Sequence, residues 1–277
     1  MAVPAVSAIT CARKRNASGI VTAAGGAVSR SKYLWVKDTC NCSAGCRVPG
    51  AACMMRSIGT QHPAPGTSVL YLHGFASSPN SQKIHSLRAL LAPLGVELNT
   101  PDLNVPSFER LDFEAMVRRA GEAGGAPRAI VGSSLGSVVA LEVVRRGLHL
   151  PLVLIAPGLG IRDQWLAKLP PGDPVEIFNY AQGRTMPIHR AFFEQMSRVD
   201  VDRQPPPVPV TIFMGRLDET IKFERVARVW ESWKASGKLA AGSRLIEIPE
   251  GDHGLTAFVD RIAPEIHKAS DILNSHP

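Results

Sequence analysis

Three serines, at positions 133, 134 and 137, stand in the stretch Ala-Ile-Val-Gly-Ser-Ser-Leu-Gly-Ser-Val-Val that begins at Ala129. A serine hydroxyl is a weak nucleophile and becomes a strong one only beside a base, with donors aimed at the oxyanion it creates. Spacing separates the three. Ser134 has Gly132 two residues before it and Gly136 two residues after it. Ser133 is flanked at those distances by Val131 and Leu135, and Ser137 by Leu135 and Val139. A turn sharp enough to lift a hydroxyl off the end of a strand brings strand and helix almost into contact. It therefore needs residues without side chains on both sides of its apex. Ser134 alone meets Gly-x-Ser-x-Gly, the nucleophile elbow pattern.

The base should be a histidine late in the chain. His253 lies in Pro-Glu-Gly-Asp-His-Gly-Leu, a glycine-rich loop after an apolar run and before a helical pattern. The other histidines fall in the tail, on helical stretches, inside an insertion or at the end. An acid must hold the base's tautomer, and Gly215-Arg-Leu-Asp218-Glu219 supplies two candidates after another apolar run. Asp218 is favoured because the shorter side chain on a tight turn is better fixed. Glu219 is read as a first-turn acid of the next helix. Asp252 is a poorer orienter because adjacent residues seldom point together. The oxyanion donors should be backbone N–H groups. Leu135, after the nucleophile, offers one at a helix start. Phe75, in His73-Gly74-Phe75, offers the other, with His73 read as a residue that shapes the loop.

Elements must position these groups at strand ends. Apolar runs at Val69–His73, Val96–Asn99, Ala129–Gly132, Leu152–Ala156, Val208–Met214 and Arg244–Ile248 read as strands. Helical patterns fall between them at Ser81–Leu94, Leu111–Glu122, Ser137–Arg146, Phe223–Ser236 and Leu255–Leu273. Alternation of this kind predicts an α/β fold, a mostly parallel sheet of about six strands with helices on both faces. Its chemistry should sit at the carboxyl ends of the strands. One interval, 157–207, breaks the rhythm, and about fifty residues are too many for a plain loop. It predicts a small cap with helices near 161–168 and 188–199. Its aromatic residues Trp165, Tyr180, Phe192 and Phe193 are the expected substrate-binding side chains.

The chain carries 31 Lys and Arg against 24 Asp and Glu, a formal charge of +7. The excess is confined to residues 1–66, which hold eight basic residues and one acid, Asp38. The body, residues 67–277, is neutral, which argues against a nucleic-acid partner. No apolar stretch approaches the ~18 residues of a membrane span. All five cysteines (11, 40, 42, 46 and 53) precede the body. Their spacing does not match paired C-x2-C zinc sites. Asn16-Ala-Ser18 and Asn41-Cys-Ser43 match glycosylation acceptors only by chance in this reading. The tail reads either as an organelle transit segment, for a mitochondrion or plastid, or as a mis-assigned start ahead of Met54 and Met55, which would make the protein cytoplasmic. No phosphate loop, dinucleotide fingerprint or metal constellation appears in the body, and no cofactor is expected.

His-Gly-Phe, Gly-x-Ser-x-Gly, Gly-x-x-Asp and Gly-x-His occur in that order, each at a strand end. This set resembles the α/β-hydrolase superfamily. "LHGFASSPNSQK" followed by "PDLNVPSFERL" further resembles the small YqiA/YcfP-like esterases, over roughly residues 67–270. The resemblance implies a serine hydrolase of carboxylic esters or thioesters, with Ser134 as nucleophile, His253 as base, Asp218 as orienting acid, and Phe75 and Leu135 as oxyanion donors. The tail and the 157–207 insertion have no counterpart in that pattern. An acyl-protein or acyl-CoA thioesterase would use the same machinery, and a catalytically silent ligand-binding relative would share the fold. The expected partner is a small-molecule ester or thioester. Oligomeric state is not readable.

Overall fold

The computed structural model describes residues 66–160 and 162–272, all within the compact unit Ile58–Pro277. The expectations for the basic tail, including those for its cysteines, lie outside the described residues apart from Gly66. Six strands form one parallel sheet: β1 (Thr67–Leu72), β2 (Val96–Asn99), β3 (Ala129–Ser133), β4 (Leu152–Ile155), β7 (Val210–Gly215) and β8 (Arg244–Ile248). Their spatial order is β2-β1-β3-β4-β7-β8. Leu70 lies beside Ile130, Ile130 beside Leu152 and Leu152 beside Val210. β3 and β4 are buried along their whole length. Both faces are covered, so these strands read as unbroken apolar runs rather than as alternating patterns.

Five helices flank the sheet: α1 (Gln82–Leu91), α2 (Phe113–Gly121), α3 (Leu135–Arg145), α6 (Phe223–Ala235) and α7 (Val259–Asp271). α2 starts where the Asp112 carboxylate accepts the Ala115 N–H, a cap contributing about 1 kcal/mol. The single helix expected over Ser81–Leu94 instead ends its α-helical part at Leu91. A 3-10 turn containing Pro93 follows, and Gly95 closes it in the left-handed region at φ 72°. Proline cannot continue the α-helical hydrogen-bond ladder, and glycine enters that region without a Cβ clash.

The insertion contains both expected helices, α4 (Arg162–Ala167) and α5 (Arg190–Arg198). Between them lies a two-stranded antiparallel hairpin, β5 (Val175–Asn179) and β6 (Arg184–Ile188), which the sequence reading did not foresee. The run that forms β6 carries Pro187 and begins with Arg184, both poor strand signals. The readable cue was Gly183, which takes φ 63° at the turn. The insertion is docked rather than loose. Gln195 on α5 accepts the Phe113 N–H and donates to Asp112. The Ala181 N–H, at the hairpin turn, donates to the Ala76 carbonyl beyond β1. The Trp233 indole N–H, on α6, donates to the Asp202 carbonyl.

Among the described residues no helix is long and apolar enough to cross a membrane. Trp233 is fully buried and joins α6 to the end of the insertion. Trp233→Ala removes that bulk and leaves a carbonyl without its donor. We expect a loss of about 3–5 kcal/mol in urea unfolding at unchanged secondary structure; a loss below 1 kcal/mol would contradict this packing.

Candidate active site

The strand order reverses direction between β1 and β3. β1 is followed by β2 on one side, and the chain then crosses back to lay β3 on the other. At such a switch point the loops leaving the two strands part, and a crevice opens at their carboxyl ends. Here those loops are His73-Gly74-Phe75 and Ser133-Ser134-Leu135.

Ser134 sits at φ 51° and ψ −115°, a conformation that a non-glycine residue adopts only under strain. Its surroundings hold it there. The Ser134 N–H donates to the Ile155 carbonyl at 2.9 Å, and its carbonyl accepts the Gly158 N–H at 3.2 Å. A Cβ on Gly136 would lie 2.0 Å from the Leu72 carbonyl oxygen, and one on Gly132 would lie 2.6 Å from the Ser137 Cα. A Cβ on Gly74 would meet the Ser134 Cβ at 3.3 Å, because the β1 loop crosses directly over the serine.

The loops after β7 and β8 meet as closely. A Cβ on Gly215 would lie 2.2 Å from the Gly251 carbonyl oxygen. The Leu217 N–H donates to that same carbonyl, and the Arg216 N–H donates to the Ile248 carbonyl. This stitching brings Asp218 to His253. The His253 Nδ1–H donates to Asp218 Oδ2 at 2.8 Å, and the Ser134 hydroxyl donates a hydrogen bond to Nε2 at 3.0 Å. Asp218 is buried, and its second oxygen accepts the Thr220 and Ile221 N–H groups. The carboxylate is therefore oriented from both sides.

Glu219 is exposed on the cleft and precedes rather than begins the next helix, which starts at Phe223 with Glu224 as its first-turn acid. Asp252 turns away to accept the Leu255 N–H. His73 bridges loops: its Nε2 accepts the Leu103 N–H, and its Nδ1–H donates to the Gly74 carbonyl. The Leu135 N–H belongs to the first turn of α3, where amides have no intrahelical acceptor. The Phe75 N–H lies in the loop that overhangs Ser134.

The four aromatic residues of the insertion divide into two pairs. Trp165 and Tyr180 line the cleft, a cavity of about 1510 Å³ that also contains Ser134 and His253. Phe192 and Phe193 do not line this cleft; they are fully buried. Phe192 stacks on the Phe75 ring at 5.9 Å with the planes 4° apart, and Phe193 meets the same ring edge-on. α5 presents both on its apolar face, which turns inward. Their contact with the site is through Phe75, whose ring they clamp.

One group escaped the sequence reading. Lys83, in the first turn of α1, reaches into the cleft and donates to Ser133 Oγ at 2.9 Å. Burial drives its pKa down to about 8, against the attraction of Asp252 and Asp218. The signal was available: a lysine at a helix start opposes the macrodipole, and this first turn holds no acid.

The sign of the pH dependence follows. Between about 8 and the ordinary lysine value of ~10.4, the unfolded chain holds a proton that the folded chain has released, so stability rises with pH there. Below that window the cost of the buried charge is fully present. Lys83→Met should thus be more stable than wild type at pH 7, with the gap closing as pH rises through that window in paired unfolding titrations. A pH-independent gap would contradict a buried ammonium.

The comparisons with known proteins agree with this architecture. Residues 68–268 match the model of the uncharacterised protein family UPF0227. No curated protein sequence matches. Among solved structures, mouse alpha/beta hydrolase domain-containing protein 10 superimposes with a TM-score of 0.58 at 19% identity, covering 74% of this chain and 90% of its own. Est1E from Butyrivibrio proteoclasticus, solved with ferulic acid bound, gives 0.58 at 15% identity, covering 76% and 90%. The esterase domain of a Rhodothermus marinus protein gives 0.54 at 18% identity, covering 77% and 90%. With this match over most of its length, the chain belongs to the UPF0227 family, and its parallel six-stranded sheet has the α/β-hydrolase fold of these structures.

Proposed function

We propose that the protein is a serine hydrolase of carboxylic esters or thioesters. The observation that carries this reading is the unbroken line Asp218 Oδ2, His253, Ser134 Oγ, with contacts of 2.8 and 3.0 Å. Asp218 holds the imidazole with its proton on Nδ1, so that Nε2 is free to act as base. Ser134 Oγ attacks the substrate carbonyl while Nε2 takes its proton, and the carbonyl oxygen becomes an oxyanion. The Phe75 and Leu135 N–H groups stabilise it, in a cleft where fixed dipoles act more strongly than water. Collapse of the intermediate breaks the bond to the alcohol or thiol, which leaves with the proton from Nε2. Water then enters, gives its proton to Nε2, and releases the acid from Ser134 by the reverse sequence.

Several features support this reading. The strain at Ser134 is of the kind stored at functional sites. The glycines around it allow no side chain, so the elbow is a built feature. Est1E and the Rhodothermus marinus domain are described as esterases, and the first of these holds a ferulate. Trp165 and Tyr180 give the cleft an aromatic wall that suits an acyl or aryl portion. Thioester substrates fit the same machinery, since only the leaving atom differs. The silent-fold alternative is disfavoured because all three side chains are present and within hydrogen-bond reach.

Two outcomes test the assignment. A fluorophosphonate probe should label the protein, and mass mapping should place the adduct on Ser134. Ser134→Ala should lower kcat on an activated aryl ester by at least about 10³-fold at unchanged thermal stability. An adduct elsewhere, or near-wild-type turnover by the variant, would overturn the reading.

A further inference from the structure

We infer that Lys83 makes the cleft selective for esters whose acyl portion carries a second, ionised carboxylate. The inference rests on the hydrolase reading above and names the substrate class of that site. The Lys83 ammonium has three N–H donors, and its one direct partner among the described residues is the Ser133 hydroxyl. A hydroxyl spends one donor and brings no charge of its own, and Asp252 and Asp218 attract the ammonium without a direct hydrogen bond to it. Lys83 belongs to the cleft lining, as does the Ser133 that its nitrogen contacts.

The nearby acids are engaged elsewhere. Asp218 is saturated by His253, Thr220 and Ile221. Asp252 accepts the Leu255 N–H. Of the other acids on the cleft, Asp102 accepts from Asn104, and Asp202 accepts the Gly160 N–H. Glu219 is exposed to solvent.

A part-buried ammonium whose one direct partner is a hydroxyl costs the fold stability that an apolar side chain of the same length would not. The local helix makes it worse, because the N-terminus of α1 is itself positive and carries no acid in its first turn. Two positive ends at one wall of a cleft cancel their mutual repulsion when an anion arrives. Two lysines, Lys83 and Lys168, line the cleft; Lys83 is the one beside Ser133, and its one ammonium matches one carboxylate. The residues lining the cleft include no arginine to make the bidentate contacts that a phosphate dianion favours, and the anion assigned to Lys83 is a carboxylate.

Distance bounds the chain length. Ser133 and Ser134 are neighbours, with Cα atoms ~3.8 Å apart, so the ammonium lies no more than about 12 Å from the nucleophile oxygen. A short dicarboxylic half-ester spans that interval: its ester carbonyl meets Ser134 and its free carboxylate meets Lys83. Attack on the carbonyl is unchanged; the far carboxylate only anchors the acyl chain.

The test compares aryl half-esters of succinate, glutarate and adipate with neutral aryl esters of the same chain length, on the full chain. The readout is the ratio of kcat/KM for the anionic ester to that for its neutral counterpart, in which any change in the shared chemical step cancels. Wild type should favour one of the anionic esters by at least about 10-fold, and Lys83→Met should bring the ratio to about 1. Wild-type inhibition by the free dicarboxylate against the matched monocarboxylate reads the same preference without a variant, and the dicarboxylate should bind at least about 10-fold more tightly. Ester hydrolysis with a ratio near 1, or a preference that survives Lys83→Met, overturns this inference while leaving the hydrolase reading intact. No hydrolysis of either ester together with no fluorophosphonate labelling overturns both.

Discussion

The whole site depends on how closely α3 is pressed against β1. The Gly136 Cα lies so near the Leu72 carbonyl that a single methyl group would collide with it at 2.0 Å. That approach forces the turn between β3 and α3 to be as tight as a chain can make it. The residue at its apex must then take a positive φ, and that residue is Ser134 at 51°. The strain costs of the order of 1–3 kcal/mol. It is offset by the buried β3 and by the backbone bonds that Ser134 makes to Ile155 and Gly158. Relaxing the contact would let the hydroxyl fall back into the turn and out of line with His253.

A second close approach completes the arrangement from the other side of the sheet. Gly215 and Gly251 touch backbone to backbone, so the loops after β7 and β8 behave as one unit. Asp218 and His253 are carried by that unit, and Ser134 by the β3 elbow. The insertion closes the assembly without joining the sheet. Its buried aromatic residues Phe192 and Phe193 clamp the Phe75 ring, which restrains the backbone N–H that overhangs the serine. The insertion thus contributes twice: Trp165 and Tyr180 to the cleft wall, and the two phenylalanines to the loop that crosses over Ser134.

Much of this was legible in the chain. The inner strands of the sheet were readable because a doubly covered parallel strand is apolar throughout, and the edge strands β2 and β8 from the apolar residues that stand between Glu97, Arg244 and Glu247. Ser134 was readable because glycine spacing records a steric requirement. Asp218 and His253 were readable as the acid and the histidine in tight loops after strands. The β5–β6 hairpin was not, because its strands are half-exposed, carry charges and include Pro187, so that their pairing rather than their composition makes them strands. Phe192 and Phe193 were misplaced for a related reason. Aromatic residues in an insertion have the same composition whether they face a ligand or a core.

Residue types and spacing alone therefore determined the sheet, the order of the candidate catalytic groups and the serine at the turn's apex. These depend on local sterics and on burial of runs close in sequence. Only the tertiary structure decided which aromatic residues line the cleft, and that Lys83 arrives beside Ser133 from 50 residues away. Those are contacts between distant segments, and packing determines them. The Lys83 pKa makes the same point: the residue is an ordinary lysine in the chain, and burial between a sheet end and a helix start makes it an unusual one.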